Sequence, residues 1–101
     1  MKYELRSTEQ YDKWFARLKD QSVGLKILAR LARAENGNFG DFRQLNENLF
    51  ELRFFFGGGL RVYYTIRDSV VVLLLAGGDK ATQTRDIDKA ARQLHELEEK
   101  P

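Results

Sequence analysis

Between Leu49 and Arg67 the chain adopts a two-residue period: apolar and polar residues alternate up to three consecutive glycines, Gly57, Gly58 and Gly59, and alternate again beyond them. That period puts successive side chains on opposite sides of a strand, and glycines that accept positive φ close a tight turn. The pattern predicts a β-hairpin with strands over 49–56 and 60–67. Phe50, Leu52, Phe54 and Phe56 line one side of the first strand, opposite Glu51 and Arg53. In the second strand Val62, Tyr64 and Ile66 oppose Arg61, Tyr63 and Thr65. A hairpin folded about Gly58 places Arg53 opposite Tyr63 and Glu51 opposite Thr65, with Arg61 on that same face. Glu51, Arg53, Arg61 and Tyr63 are thereby gathered on one polar face, the expected functional surface.

The segments around the hairpin follow other rules. Lys2 to Leu5 fits a short first strand, and Ser7 with Gln10 has capping-box spacing for a helix carrying Tyr11, Trp14, Phe15 and Leu18 on one side. A break near 22–24 separates it from a second helix with Val23, Ile27, Leu31 and Ala34 in one stripe and Lys26, Arg30 and Arg33 in another. Asn36 to Gly40 ends that helix before an irregular stretch reaching Asn48. Val70 to Leu75 is apolar without alternation, as expected of a central strand covered on both faces. Thr82 or Thr84 caps a last helix with Ile87, Ala90, Ala91, Leu94 and Leu97 on one side. The fold class is α+β: two N-terminal helices on a small, mostly antiparallel sheet of about four strands, then a C-terminal helix. At 101 residues and 43% hydrophobic, the chain is expected to form one domain over 1–101.

Composition narrows the chemistry. Seventeen Lys and Arg against fifteen Asp and Glu leave a net charge of +2, so any basic function depends on local placement. The absence of cysteine excludes disulfides and thiolate chemistry, and the single histidine, His95, cannot form a multi-histidine metal cluster. No metal or cofactor is expected. The longest apolar run is about a third of the roughly 20 residues a spanning helix needs, and the first residues lack the apolar core of a signal peptide. The expectation is a cytoplasmic protein with no membrane association.

Two readings of the polar face remain open. It is a solvated sheet face with cross-strand pairs, or a site in which two arginines grip a phosphate, Tyr63 stacks a base and Glu51 accepts a proton. Lys80, just after Gly77 and Gly78, either lies at a strand end from which it can reach that face or is an ordinary exposed loop lysine. The two glycines lack Walker spacing, so a nucleotide triphosphatase is rejected. Lys26, Arg30 and Arg33 form either a solvated helix face or a non-specific RNA-binding stripe.

Five segments in order, Gly37-Asn-Phe-Gly-Asp41, Phe50-Glu-Leu-Arg53, Arg61-Val-Tyr-Tyr64, Leu73-Leu-Leu-Ala-Gly-Gly-Asp-Lys-Ala-Thr-Gln83 and Asp86-Ile87, resemble the HigB-like, phage-associated "addiction module killer" branch of the RelE/ParE toxin superfamily. The resemblance spans nearly the whole chain and is most specific from Gly77 to Gln83. It implies a type II toxin that halts translation by cutting mRNA on the ribosome without a metal, held inactive by a cognate antitoxin, commonly a helix-turn-helix protein. On that analogy Arg53 and Arg61 stabilise the phosphorane, Lys80 the phosphate or leaving group, and Glu51 or Tyr63 transfers a proton. Gln83 and Asp86 match the branch motif, with helix capping or packing as an equal explanation. ParE-like relatives bind DNA gyrase instead, and a non-catalytic phage-derived binding protein of the same fold is the remaining alternative.

Overall fold

The computed structural model describes residues 2–99. It contains β1 (Glu4–Ser7), α1 (Glu9–Ala16), α2 (Gln21–Glu35), β2 (Phe42–Gln44), β3 (Phe50–Arg53), β4 (Arg61–Arg67), β5 (Val71–Gly78) and α3 (Gln83–Glu99). The strands form one sheet in the order β1-β5-β4-β3-β2, with β1 parallel to β5 and the other neighbours antiparallel. The α+β architecture is as expected, with five strands in place of about four.

The additional strand, β2, falls in the stretch expected to be irregular. Its three residues are exposed and show no buried alternation, so the periodic signal that reveals a strand is missing. It is an edge strand recruited by pairing, with Arg43 opposite Glu51.

Helices cover both sheet faces. Tyr11 of α1 and Ile27 and Leu31 of α2 pack with Leu52, Val62, Tyr64, Val72 and Leu74, and Trp14, Phe15 and Leu18 join this core from its margin. On the opposite face Ala90 and Leu94 of α3 pack with Leu49, Tyr63, Leu75 and Ala76. The apolar set foreseen for the last helix, Ile87, Ala90, Ala91, Leu94 and Leu97, all lies in this second core.

Local chemistry places the helix ends. The α1 cap is Thr8, one residue after the expected Ser7. Thr8 Oγ1 accepts from the Tyr11 N–H at 3.2 Å and donates to the Leu75 carbonyl at 3.0 Å, joining the helix start to β5. Ser7 donates to Asp12 instead. Asp20 caps α2, so the break falls before Gln21 and Gly24 lies inside the helix, where an added Cβ would meet the Phe15 ring at 3.5 Å.

The hairpin forms with a different register from the one expected. Glu51 pairs with Tyr63 and Arg53 with Arg61. Gly57, Gly58 and Gly59 all have positive φ, and the Leu60 N–H bonds the Phe56 carbonyl while the Phe54 N–H bonds that of Leu60. This centres the turn on Gly57 and shifts the pairing by two residues. An even shift preserves the side on which each residue points, so the four polar residues still share a face.

A β-bulge between Tyr63 and Tyr64 resets the alternation of β5: Tyr63 pairs with Ala76 and Tyr64 with Leu74. Leu75 and Ala76 both enter the α3-side core, and the next two residues exchange faces accordingly. Gly77 lies under Trp14 and Gly78 under Asp86, where added Cβ atoms would stand 2.3 Å and 1.8 Å from those side chains. β5 is interior and covered on both faces, as expected, although β4 occupies the middle of the sheet.

The β4–β5 turn places Asp68 and Ser69 at φ 54° and 60°, closed by the Val70 N–H on the Arg67 carbonyl. Neither is glycine, and the left-handed region costs an L-residue roughly 1–2 kcal/mol. Ser69→Gly is therefore expected to raise stability by about 0.5–1 kcal/mol. Urea denaturation checks this, and an unchanged or lower midpoint would show that the Ser69 side chain offsets the strain.

Candidate functional site

The shared face of β3 and β4 is not open to solvent over most of its length, because α3 lies across it. Glu51 is 0% exposed, and both its carboxylate oxygens are engaged. Oε1 accepts from Arg61 Nη1 at 3.0 Å, and Oε2 from Nε2 of Gln83, the first residue of α3, at 2.8 Å. Arg61 is 8% exposed, and its Nε–H has no hydrogen-bond partner among the described residues. Tyr63 is fully buried with its hydroxyl likewise unpartnered. The packing encloses Glu51 completely, with its carboxylate spent on Arg61 and Gln83.

Burial pushes the Tyr63 phenol above its ordinary value, and the nearby carboxylates of Glu51 and Asp86 push the same way, opposed by Arg61. Forming a phenolate there adds negative charge to a dry site that already holds two carboxylates. That environment disfavours Tyr63 as a proton acceptor. The solvated-face reading also fails for Glu51 and Arg61, whose cross-strand contact is a buried ion pair.

Arg53 is half-buried at the open end of this face, directly opposite Arg61. Two like charges at opposed positions repel, and Glu51 answers only one of them. Lys80 is exposed just beyond β5. Its N–H donates to the Gly58 carbonyl at 3.2 Å, and its Cβ lies 3.1 Å from where a Gly59 Cβ would be. The glycine turn thus holds the Lys80 loop against the hairpin end that carries Arg53 and Arg61. Gly77 and Gly78 serve a close approach of Trp14 and Asp86, and Asp86 is buried and accepts from the Thr82 hydroxyl.

The expected stripe of Lys26, Arg30 and Arg33 does not form. Arg30 turns inward, with Nε donating to the Phe39 carbonyl at 3.1 Å, Nη1 to Arg53 at 3.1 Å and Nη2 to Asp41 at 2.6 Å. Its guanidinium lies 4.8 Å over the Phe54 ring, and Gly40 leaves the space it occupies. The spacing explains the difference: Arg30 stands three residues after Ile27 and four before Ala34, on the buried stripe itself. Lys26 rests its ammonium 4.8 Å over the Phe56 ring, and Arg33 is exposed.

Periodicity does not reveal a cleft of about 460 Å³ between α1 and α3, bounded by Lys13, Trp14, Arg17, Arg85 and Lys89 and floored by the end of β5. Each helix contributes basic residues four apart, which is visible in sequence; that the two pairs line one cleft is not. Among the described residues no group of three or more His, Cys, Asp or Glu is arranged to hold a metal, and no helix is long and apolar enough to cross a membrane.

Residues 13–96 match the family described as "Phage derived protein Gp49-like (DUF891)". The chain is 42% identical over 97 residues to an uncharacterized protein of Haemophilus influenzae, covering 96% of this chain and 98% of that one. Its fold is similar to a mutant of the E. coli toxin RelE in the free state, with a TM-score of 0.73 at 18% identity over 92% of this chain and 98% of that chain. A chain of the intact E. coli RelBE toxin-antitoxin complex gives 0.62 at 18% identity, covering 76% and 95%. At that identity the likeness establishes a RelE-like fold.

Two outcomes follow from the buried polar groups. Arg30→Ala leaves three carbonyls short of a donor and is expected to cost about 2–4 kcal/mol, whereas Arg33→Ala stays within about 0.5 kcal/mol. Equal denaturation midpoints for the two variants would contradict the inward role of Arg30. The phenols of Tyr11, Tyr63 and Tyr64 are all pushed up, with burial the largest cause in each case. The unfolded chain then releases these protons first, near pH ~10. Stability is intact below that point and falls as pH rises beyond it, by up to about 1.4 kcal/mol per pH unit for each tyrosine. Denaturation midpoints with parallel phenolate absorbance check this; titration near pH ~10 without loss of stability would contradict it.

Proposed function

We propose that this chain, which belongs to the phage-derived Gp49-like family, is the toxin of a type II toxin–antitoxin pair and acts as a metal-independent endoribonuclease. Its fold is shared with a protein whose structure is named for the toxin RelE and with a chain of the RelBE toxin-antitoxin complex. The observation that carries the chemical reading is the meeting of Arg53, Arg61 and the Lys80 loop at the glycine end of one hairpin. Three cations there, two of them in direct cross-strand opposition, make a place where a phosphodiester relieves repulsion.

The reaction is transesterification. The 2′-oxygen attacks the adjacent phosphorus, the bond to the 5′-oxygen breaks, and the proton lost from the 2′-hydroxyl is balanced by one gained at the 5′-oxygen. Arg53 and Lys80 contact the phosphate and neutralise the charge that grows in the transition state. Arg61 lies behind them with its Nε–H buried, adding its positive field to the same group while Glu51, held in turn by Gln83, fixes its orientation. Glu51 is therefore a positioning residue, and the Tyr63 phenol is a hydrogen-bond donor. The cations supply the charge stabilisation that a metal ion provides in other nucleases. The proposed partners are mRNA on the ribosome and a cognate helix-turn-helix antitoxin in the HigB-like manner, and the proposed location is the cytoplasm.

Arg61→Ala is a poor test, since it leaves the Glu51 charge unpaired in the core at a cost of about 3–5 kcal/mol. Arg53→Ala and Lys80→Ala avoid that core defect. Expressed without an antitoxin, the native chain is expected to arrest growth and generate new mRNA 5′ ends, and each variant to lower cleavage by about 10²-fold or more. Full toxicity in both variants would remove this site from the mechanism. Arrest with intact mRNA and altered DNA supercoiling would replace nuclease activity with gyrase inhibition.

A further inference from the structure

The cleft between α1 and α3 is a second concentration of unanswered charge. Lys13 and Arg17 stand one turn apart along one wall, and Arg85 and Lys89 one turn apart along the other. Lys13 has an exposed partner in Glu9 at 3.0 Å, whereas Arg17, Arg85 and Lys89 form no ion pair among the described residues. Of the carboxylates lining the cleft, Asp79 accepts from the Thr82 N–H and the buried Asp86 from the Thr82 hydroxyl. Four cations therefore face two carboxylates already engaged within the loop. Between the basic walls stands half-buried Trp14, supported from below by Gly77. β1 pairs with β5 only as far as Leu74, which leaves the floor of the cleft uncovered by any strand on that side.

We propose that this cleft binds the backbone of single-stranded RNA, with one base stacked on Trp14. Arginine forks suit phosphate oxygens, and an indole accepts any base. An acidic peptide would use the cations and gain nothing specific from the aromatic wall. The cleft also reaches Gly57 and Leu60 of the hairpin and ends at Asp79, beside Lys80. A strand lying in it continues directly to the proposed scissile phosphate. The inference rests on the ribonuclease reading for its choice of RNA and adds the surface that holds the strand beside the cut.

Trp14 is the single tryptophan of the chain, so its fluorescence reports on this cleft. The probe is a 2′-O-methyl RNA of about eight nucleotides, within the usual single-strand site size and resistant to cleavage because its 2′-oxygens are blocked. Saturable quenching of Trp14 is expected. The double variant Arg85→Glu/Lys89→Glu should bind at least about 10-fold more weakly, with the log–log salt slope reduced by about 1.4 for two lost phosphate contacts. Arg67→Glu, on the exposed far turn, should bind as the native chain does. Absence of quenching, a double variant with native affinity, or quenching by a glutamate peptide in place of RNA would overturn the proposal. RNA cleavage without quenching would remove the cleft and leave the nuclease reading standing. Quenching that is lost in the double variant, in a protein that neither cleaves RNA nor arrests growth, would sustain the cleft and remove the nuclease.

Discussion

The buried pair between Glu51 and Arg61 ties together three parts of this protein that are separate in sequence. Each partner sits on a different strand of the hairpin, and Gln83 at the start of α3 completes the carboxylate's bonding. A charge taken out of water is tolerated in a small core only when it is paired and its remaining lone pairs are occupied. The β3–β4 register, the position of the α3 N-terminus and the orientation of Arg61 are consequently one problem with one solution. Moving any of the three leaves a charge unsatisfied. The Nε–H of Arg61 and the hydroxyl of Tyr63 remain as donors within this same node.

A second layer of constraint comes from places where backbone must come close. Centring the turn on Gly57 moves the register by an even step, so Arg53 opposes Arg61 without either leaving its face. The bulge opposite Tyr63 and Tyr64 moves the end of β5 by an odd step, so Gly77 and Gly78 meet Trp14 and Asp86 on opposite sides of the sheet. Any side chain at Gly77 would collide with the indole. These glycines resemble a phosphate loop in composition only. Their role is to seat two helices on a strand end and to leave a cleft between those helices.

Arg30, Arg61 and Arg53 illustrate how one residue type takes different roles according to its surroundings. Arg30 spends its donors on carbonyls of the loop and hairpin and is a structural brace. Arg61 is half committed to Glu51 and half unsatisfied. Arg53 remains at the margin, without an ion pair among the described residues and with a like charge opposite it. An anion-binding reading therefore attaches to Arg53, Arg61 and Lys80 and not to basic residues in general. A RelE-like scaffold alone does not select between RNA chemistry and other targets.

Much of this was legible along the chain. Alternation about the glycines gave the hairpin and placed Glu51, Arg53, Arg61 and Tyr63 on one face. Three-and-four spacing gave the helices and their apolar sides, and the unbroken apolar run gave a strand covered on both faces. These features are local, since each follows from how neighbouring residues project from a helix or strand. The β2 edge strand, the two-residue register shift and the bulge were not legible, because each is fixed by how one strand pairs with another; the burial of Arg30 could be read from its place on the Ile27–Ala34 stripe, but not the carbonyls that receive its donors. The face noticed first shows the division most clearly. Parity along two strands determined which side its polar residues take. Only the packing of α3 decided that this side is mostly interior, turning an apparent open surface into a buried ion pair with one exposed margin, because the cost of desolvating a charge is set by what covers it.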